Sequence, residues 1–354
     1  MGFETCQSCG AEKMQVFYEA RRIPVHSCRL VDSKEESLHL PQGDLSLGFC
    51  PQCGFIQNCD FDTALVDYSE SYEDTQAFSD RFNAYANGLA DHLLDSYELR
   101  GKRALEIGCG RGDFLRLICE RGSMRGIGFD PAHRRSDDDR TDQDAVRIYR
   151  DFYSKDTCAQ DADLILCRHT LEHIPTVKRF ITTLRDCVDQ ETAPIVCFEV
   201  PDTARILQED AFWDVYYEHC SYFTLGSLER LFRACGFAVL NARKTYEDQY
   251  LVIEARPVTD AEPMPASGYS DLEELSRDVQ SFQRNVGEKL RYWRKALDAY
   301  RDQRQRVALW GAGSKAAGFL TALNVADEVG CVVDINPNKH GYYQAGTEQR
   351  IVEP

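Results

Sequence analysis

Apolar residues follow two rhythms along this chain, and the order of those rhythms predicts an architecture. Phe82, Tyr85, Leu89 and Leu93 recur at three- and four-residue spacing, which predicts an amphipathic helix over 78–97. Short apolar runs and helical periods then alternate. Strands are expected at Arg103–Ile107, 126–129, 147–149, 163–167 and 194–199, with helices over 113–120, 177–188 and 225–235. Two late strands, Phe237–Thr245 and 250–256, close the series. This βαβα order predicts a doubly wound α/β sheet, with the last two strands forming an antiparallel edge.

The pattern is different on either side. Over 1–60 it breaks into short strands and loops, and Pro24 and Pro41 argue against long helices. Over 257–268 the chain turns Pro-rich and reads as a linker. A long helix is expected over 270–305, then a strand over 306–310, a second glycine turn and helix, and a strand over 331–334. Three units are therefore expected: a cysteine-rich module over 1–60, an α/β domain over 61–256, and a linker, long helix and short second α/β unit over 257–354.

Composition narrows the partners. Forty-one Lys and Arg against 58 Asp and Glu give a net charge of −17, which disfavours an electrostatic grip on nucleic acid or an anionic membrane. The charge is scattered apart from the patch at Asp137, Asp138 and Asp139. No apolar stretch approaches the length of a membrane span, and residues 1–20 lack a signal-peptide core. Fifteen cysteines without such a signal are expected to be reduced thiols in a cytoplasmic protein. Cys167, Cys197, Cys235 and Cys331 sit in apolar runs and read as core residues.

Four other cysteines read differently. Cys6 and Cys9, and Cys50 and Cys53, form two Cys-x-x-Cys knuckles, each followed by glycine (Gly10 and Gly54). Two such turns supply the four soft ligands of a closed tetrahedral zinc site. His26 and Cys28 are alternative ligands, less favoured because both knuckles are complete.

The strongest motif lies after the first α/β strand, where Glu106, Gly108, Cys109, Gly110 and Gly112 fall within seven residues. Such glycines let the backbone pass close to a ligand at the carboxyl end of the strand. Asp130, beside Pro131, ends the next strand 22 residues after Gly108, where a carboxylate takes ribose hydroxyls. NAD and S-adenosylmethionine would both fit that much. Asp113 decides between them: a carboxylate at the start of the helix occupies the anion site and repels a pyrophosphate. A sulfonium carrying an ammonium suits this environment. Asp151 and Phe152 are then placed for adenine, and Arg168 and His169 for the methionine end, whereas His173 reads as a buried structural histidine.

Taken in order, the knuckles, the turn at Leu105–Gly112, the run Arg168 to His173, Tyr216 to His219, Ser221 to Phe223, and Trp310 to Lys315 resemble the three-part zinc-containing C-methyltransferases. Known members of that family methylate nucleotide-linked deoxysugars. The resemblance spans essentially the whole chain. It implies a class I methyltransferase sheet of Rossmann-like type, an N-terminal zinc module, and a C-terminal Rossmann-like unit that is expected to be incomplete. It further implies that His219 is the base that generates an enolate, Glu218 its neighbour, Tyr216 a substrate or enolate ligand, and Tyr72 another active-site tyrosine. The implied partner is a small molecule, with neither nucleic acid nor membrane. The family's His-Gly-Gly loop is replaced here by 246–250, so the acceptor need not be a nucleotide sugar. Rival readings are O- or N-methylation, an inactive zinc scaffold, and an NAD enzyme built on Gly311, Gly313, Lys315 and Asp334.

Overall fold

The computed structural model describes all residues except 1–2, 67–71, 74, 134–144, 158–160, 189–192 and 259–269. The three-aspartate patch at 137–139 and most of the expected linker lie outside the described residues.

The chain opens with β1 (Gln15–Pro24), a short helix α1 (Lys34–Leu38), β2 (Gln42–Phe49) and β3 (Ile56–Asn58), the strands pairing antiparallel. Phe17, Leu45, Leu47, Phe49 and Ile56 are buried in one cluster. Helix α2 (Asp80–Ser96) begins at Ser79, whose hydroxyl accepts the Phe82 N–H at 3.3 Å, a cap typical of this residue type. It buries Ala86, Leu89, Ala90, Leu93 and Leu94, the stripe expected from the period.

The alternating series follows as β4 (Arg103–Ile107), α3 (Asp113–Gly122), β5 (Arg125–Phe129), β6 (Val146–Tyr149), β7 (Leu164–Arg168), α4 (Val177–Cys187), β8 (Ile195–Pro201) and α5 (Thr203–Gln208). After it come β9 (Ser221–Tyr222), α6 (Leu225–Ala234), β10 (Phe237–Thr245) and β11 (Tyr250–Pro257). Seven strands form one sheet in the order β10-β11-β8-β7-β4-β5-β6. The last two strands form the expected antiparallel pair at one edge. Only β11 runs backwards; it sits between β8 and β10, so the edge strand β10 is parallel to the rest. The cause is a reversal through Tyr246, Glu247 and Asp248, all at positive φ, and the apolar content of β11. Leu251, Val252, Ile253 and Ala255 are fully buried and take the inner slot.

β9 does not join this sheet. It pairs with β3, Ile56 opposite Tyr222, and so completes the N-terminal sheet from the middle of the chain. Helix α7 (Leu272–Asp302) buries Leu275, Val279, Phe282, Val286 and Leu297, and Phe282 meets the ring of Tyr18 edge-on at 5.5 Å. Last come β12 (Ala308–Trp310), α8 (Ser314–Ala322), β13 (Cys331–Val333) and β14 (Arg350–Val352), a three-stranded parallel sheet.

Cys167, Cys197 and Cys235 are buried as expected, but Cys331 is only half-buried because the small sheet covers it on one side. Among the described residues no cysteine is in a disulfide. No described helix is long and apolar enough to cross a membrane. In the large sheet the strand order reverses between β4 and β7, which opens a crevice at their carboxyl ends.

Candidate active site

The knuckles converge. The sulfurs of Cys6, Cys9, Cys50 and Cys53 all lie within 4.8 Å of one another, with Cys6–Cys53 and Cys9–Cys50 each at 3.6 Å. Thiolates about 2.3 Å from a tetrahedral zinc stand about 3.8 Å apart, so the spacing fits that ion. Gly10 and Gly54 take positive φ (85° and 75°), closing each turn with an N–H bond to the carbonyl of Cys6 or Cys50. Hydrogen bonds from Cys53 and Cys6 push the Cys50 thiol down, while Cys6 and Cys53 are pushed up. A divalent cation is what would let all four thiols ionise side by side. The alternative ligands lie elsewhere. His26 is 3.4 Å from Glu218 Oε1, and Cys28 Sγ is 3.2 Å from Ser314 Oγ.

A cavity of ≈ 1280 Å³ fills the crevice above β4 and β7. Its floor is the glycine turn. A Cβ on Gly108 would lie 2.0 Å from Thr170 Oγ1, so packing itself demands glycine there. At Gly110 a Cβ would meet no protein atom within 4 Å, so the space left open belongs to the cavity. Asp130 accepts the Gly110 N–H through Oδ2 and the Ala132 N–H through Oδ1, both at 2.8 Å, which fixes the carboxylate at the rim. Cys109, Pro131 and Asp151 contribute to the same wall. The Phe152 ring there is 65% exposed, leaving a face open for stacking.

Glu106 is buried, and its Oε2 has no hydrogen-bond partner. Burial raises its carboxyl to about 8, with Arg168 opposing the shift. Arg168 itself is sealed in: Nε lies 3.0 Å from Glu199 Oε2 and the guanidinium stacks 4.0 Å above Phe114. His169, at φ 48°, places Nε2 2.7 Å from Glu199 Oε1, too poorly aligned for a hydrogen bond but close enough for an ion pair. Burial disfavours its charge, yet Glu199 and Glu172 outweigh that and raise it to about 9.

Tyr216 and His219 line the far end, their rings 4.3 Å apart. Burial, then His173 and His169, lower the His219 imidazole well below its ordinary range, so it is neutral at pH 7 and able to accept a proton. Burial and then Asp214 hold the Tyr216 phenol protonated. Tyr72 lines the same cavity and bridges Arg29 of the N-terminal module. Glu218 points away from it. Its carboxylate accepts the Ser27 N–H at 2.9 Å and the Ser27 hydroxyl, tying this loop to the N-terminal module.

His173 departs from the structural role expected of it. It lines the cavity, its ring perpendicular to His219 at 4.8 Å, with Glu172 beside it. The signal was its place just past a strand end at the crevice. Ser314, Lys315, Asn336 and Lys339 add a wall from the last unit, the first two from its glycine motif. Asp334 is committed inside that unit, accepting Ala312 N–H at 2.6 Å and Asn336 N–H at 2.7 Å with Lys339 Nζ at 3.8 Å. Lys315 contacts Asp214 and Gln249, both at 3.2 Å.

Residues 78–242 match a family model described as a methyltransferase domain, and residues 270–354 match the C-methyltransferase C-terminal domain. Together these matches, over two separate parts of the chain, support an S-adenosylmethionine-dependent C-methyltransferase family. C-methyltransferase NovU of Streptomyces niveus is 26% identical over 185 residues, 51% of this chain and 43% of that protein. The chain therefore matches less than half the length of this curated relative. A putative S-adenosylmethionine-dependent methyltransferase from Listeria monocytogenes is 14% identical, covering 49% of this chain and 99% of that one at a TM-score of 0.38. Magnesium protoporphyrin IX methyltransferase from Synechocystis PCC 6803 with bound S-adenosylhomocysteine is 13% identical, covering 50% and 84% at a TM-score of 0.40.

Proposed function

We propose that this protein methylates a carbon next to a carbonyl in a small-molecule acceptor, with a nucleotide-linked keto-deoxysugar as the acceptor class. The observation that carries the reading is His219: a buried, neutral imidazole on the wall of the cavity that also holds the glycine turn. The cofactor supplies an electrophilic methyl group on a sulfonium. Gly110, Asp130, Asp151 and Phe152 would bind it, the acidic Asp113 favours its positive end, and a cation there would draw the proton from Glu106, whose Oε2 has no hydrogen-bond partner. His219 takes the proton from the acceptor carbon, and the phenol of Tyr216 donates to the developing enolate oxygen. The bound cofactor would supply its methyl group to that carbon, the sulfur–methyl bond breaking to leave S-adenosylhomocysteine, while the imidazole of His219 would keep the proton. His173 and Tyr72 border the same acceptor space, and Glu218 orients the loop through Ser27. The four-thiol cluster serves as a structural zinc centre.

Deuterium exchange tests the chemistry. In heavy water with S-adenosylhomocysteine and a nucleoside-diphosphate 4-keto deoxysugar, the parent should wash deuterium into the carbon beside the carbonyl. His219→Ala should not. Methyl transfer to oxygen or nitrogen with no exchange at carbon would overturn the reading.

A further inference from the structure

A buried carboxylate outside the reacting cluster joins the two sides of the cavity. Glu73 is 2% exposed. Its backbone N–H bonds the Cys28 carbonyl at 3.0 Å, which fixes it against the N-terminal module. Its side chain receives the Arg111 guanidinium on Oε2 and the Asn336 amide on Oε1 at 3.0 Å, with the Asn338 amide at 3.5 Å from Oε2. Arg111 belongs to the glycine turn, between Gly110 and Gly112. Asn336 and Asn338 belong to the last unit, where the Asn336 N–H is bound to Asp334 and the Asn338 N–H to Asn336 Oδ1. A carboxylate this buried is costly unless it is paired, so the bonds to Arg111 and Asn336 are obligatory partners. Any shift of the turn that carries Arg111 must therefore be felt at Asn336, on the wall that also presents Lys339 and Ser314 to the cavity.

We propose that Glu73 is a positioning residue that couples occupancy of the glycine turn to the order of the 334–340 wall, so that the bound cofactor prepares the acceptor side. The coupling is carried by two hydrogen-bonded contacts to one buried charge, a contiguous physical link between turn and wall. It acts in both directions, so an ordered wall tightens cofactor binding by the same factor.

This rests on the glycine turn holding the cofactor, and the test separates the two ideas. Amide hydrogen exchange is followed on the full chain with and without saturating S-adenosylhomocysteine. In the parent, amides at 108–112 gain protection, and those at 335–340 slow by roughly fivefold or more, the lower end of usual coupling between sites. In Glu73→Ala the protection at 108–112 persists while that at 335–340 is lost. Glu73→Gln, which keeps an acceptor oxygen but not the charge, restores part of it. Asn336→Ala cuts the link from the other side and should behave like Glu73→Ala, covering the case in which the Glu73 variants fail to fold. Protection at 108–112 with none at 335–340 in the parent, or unchanged transmission in the variants, would overturn the coupling alone. No protection at 108–112 in the parent would overturn the cofactor site and the coupling with it.

Discussion

The chain contains two strand–glycine–helix units that look alike in sequence and are built for different work. In both, a carboxylate at the end of the next strand reaches back to the glycine turn: Asp130 to the Gly110 N–H, Asp334 to the Ala312 N–H. Their surroundings differ. Asp130 is half-buried at the rim of the cavity and accepts two backbone N–H groups. Asp334 is buried, with Lys339 beside it and the His340 ring against its carbonyl. The first helix begins with Asp113 and rests on a seven-stranded sheet, whereas the second begins with Ser314 and Lys315 and rests on three strands. A glycine motif therefore declares a turn; the groups left open around it declare a ligand.

The largest test concerns what supports the acceptor end. Metal analysis should return one zinc per chain, and Cys50→Ser should unfold the N-terminal sheet, because metal binding in such sites is folding free energy on the order of 10 kcal/mol. Methyl transfer should disappear with it, since Ser27 anchors Glu218 and β3 pairs with β9 beside His219. Cofactor binding should survive in weakened form, since Phe129, Asp130 and Thr170, which hold the turn, belong to the large sheet and its loops, while Arg111 reaches the N-terminal module through Glu73. Equal loss of both activities would merge the two ends into one.

A smaller effect separates the two carboxylates directly. Asp130→Ala should weaken S-adenosylhomocysteine by about 1.5–3 kcal/mol through lost charge-assisted hydrogen bonds, read by calorimetry. Asp334→Ala should leave that affinity nearly unchanged and lower thermal stability instead. The reverse pattern would exchange the roles of the units.

A pH signature is confined to the first unit. Glu106 has a folded-state value raised to about 8 from 4.5. Its contribution to stability is therefore fully present below pH 4.5 and lost as pH rises through 8. Glu106→Gln without cofactor should match the parent at pH 4.5 and unfold at higher urea above pH 8. Parallel urea midpoints across that range would show that Glu106 keeps its ordinary proton affinity.

Much of this was legible from local pattern. The period of α2, the alternation from β4 to β8 and the two knuckles each depend on neighbours in sequence, and each appears where expected. What was missed depends on distant partners. β9 is two residues long and exists because β3 offers an open edge. Glu218 sits between two candidate site residues in sequence, yet its carboxylate is claimed by Ser27, 191 residues away. His173 read as packing because nothing local reveals that His219 comes to face it. The direction of β10 followed from burial of β11, which the hairpin alone leaves open.

Helix α7 adds a constraint of phase. Its first half is fastened by Leu275, Val279, Phe282 and Val286, and its far end holds the last unit through Arg294 and Arg301 on Glu328. That unit docks with Gly318 so close to the Trp213 carbonyl that a Cβ would lie 2.6 Å from it. Each residue added to a helix advances it by 1.5 Å and turns it by about 100°. A single insertion between Val286 and Arg294 would swing Ser314, Asn336 and Lys339 out of register with the cavity and pull Gly318 off Trp213, although the helix itself could still form on either side of the insertion. The helix is a ruler, and in this stretch length variation is excluded by angle before it is excluded by stability.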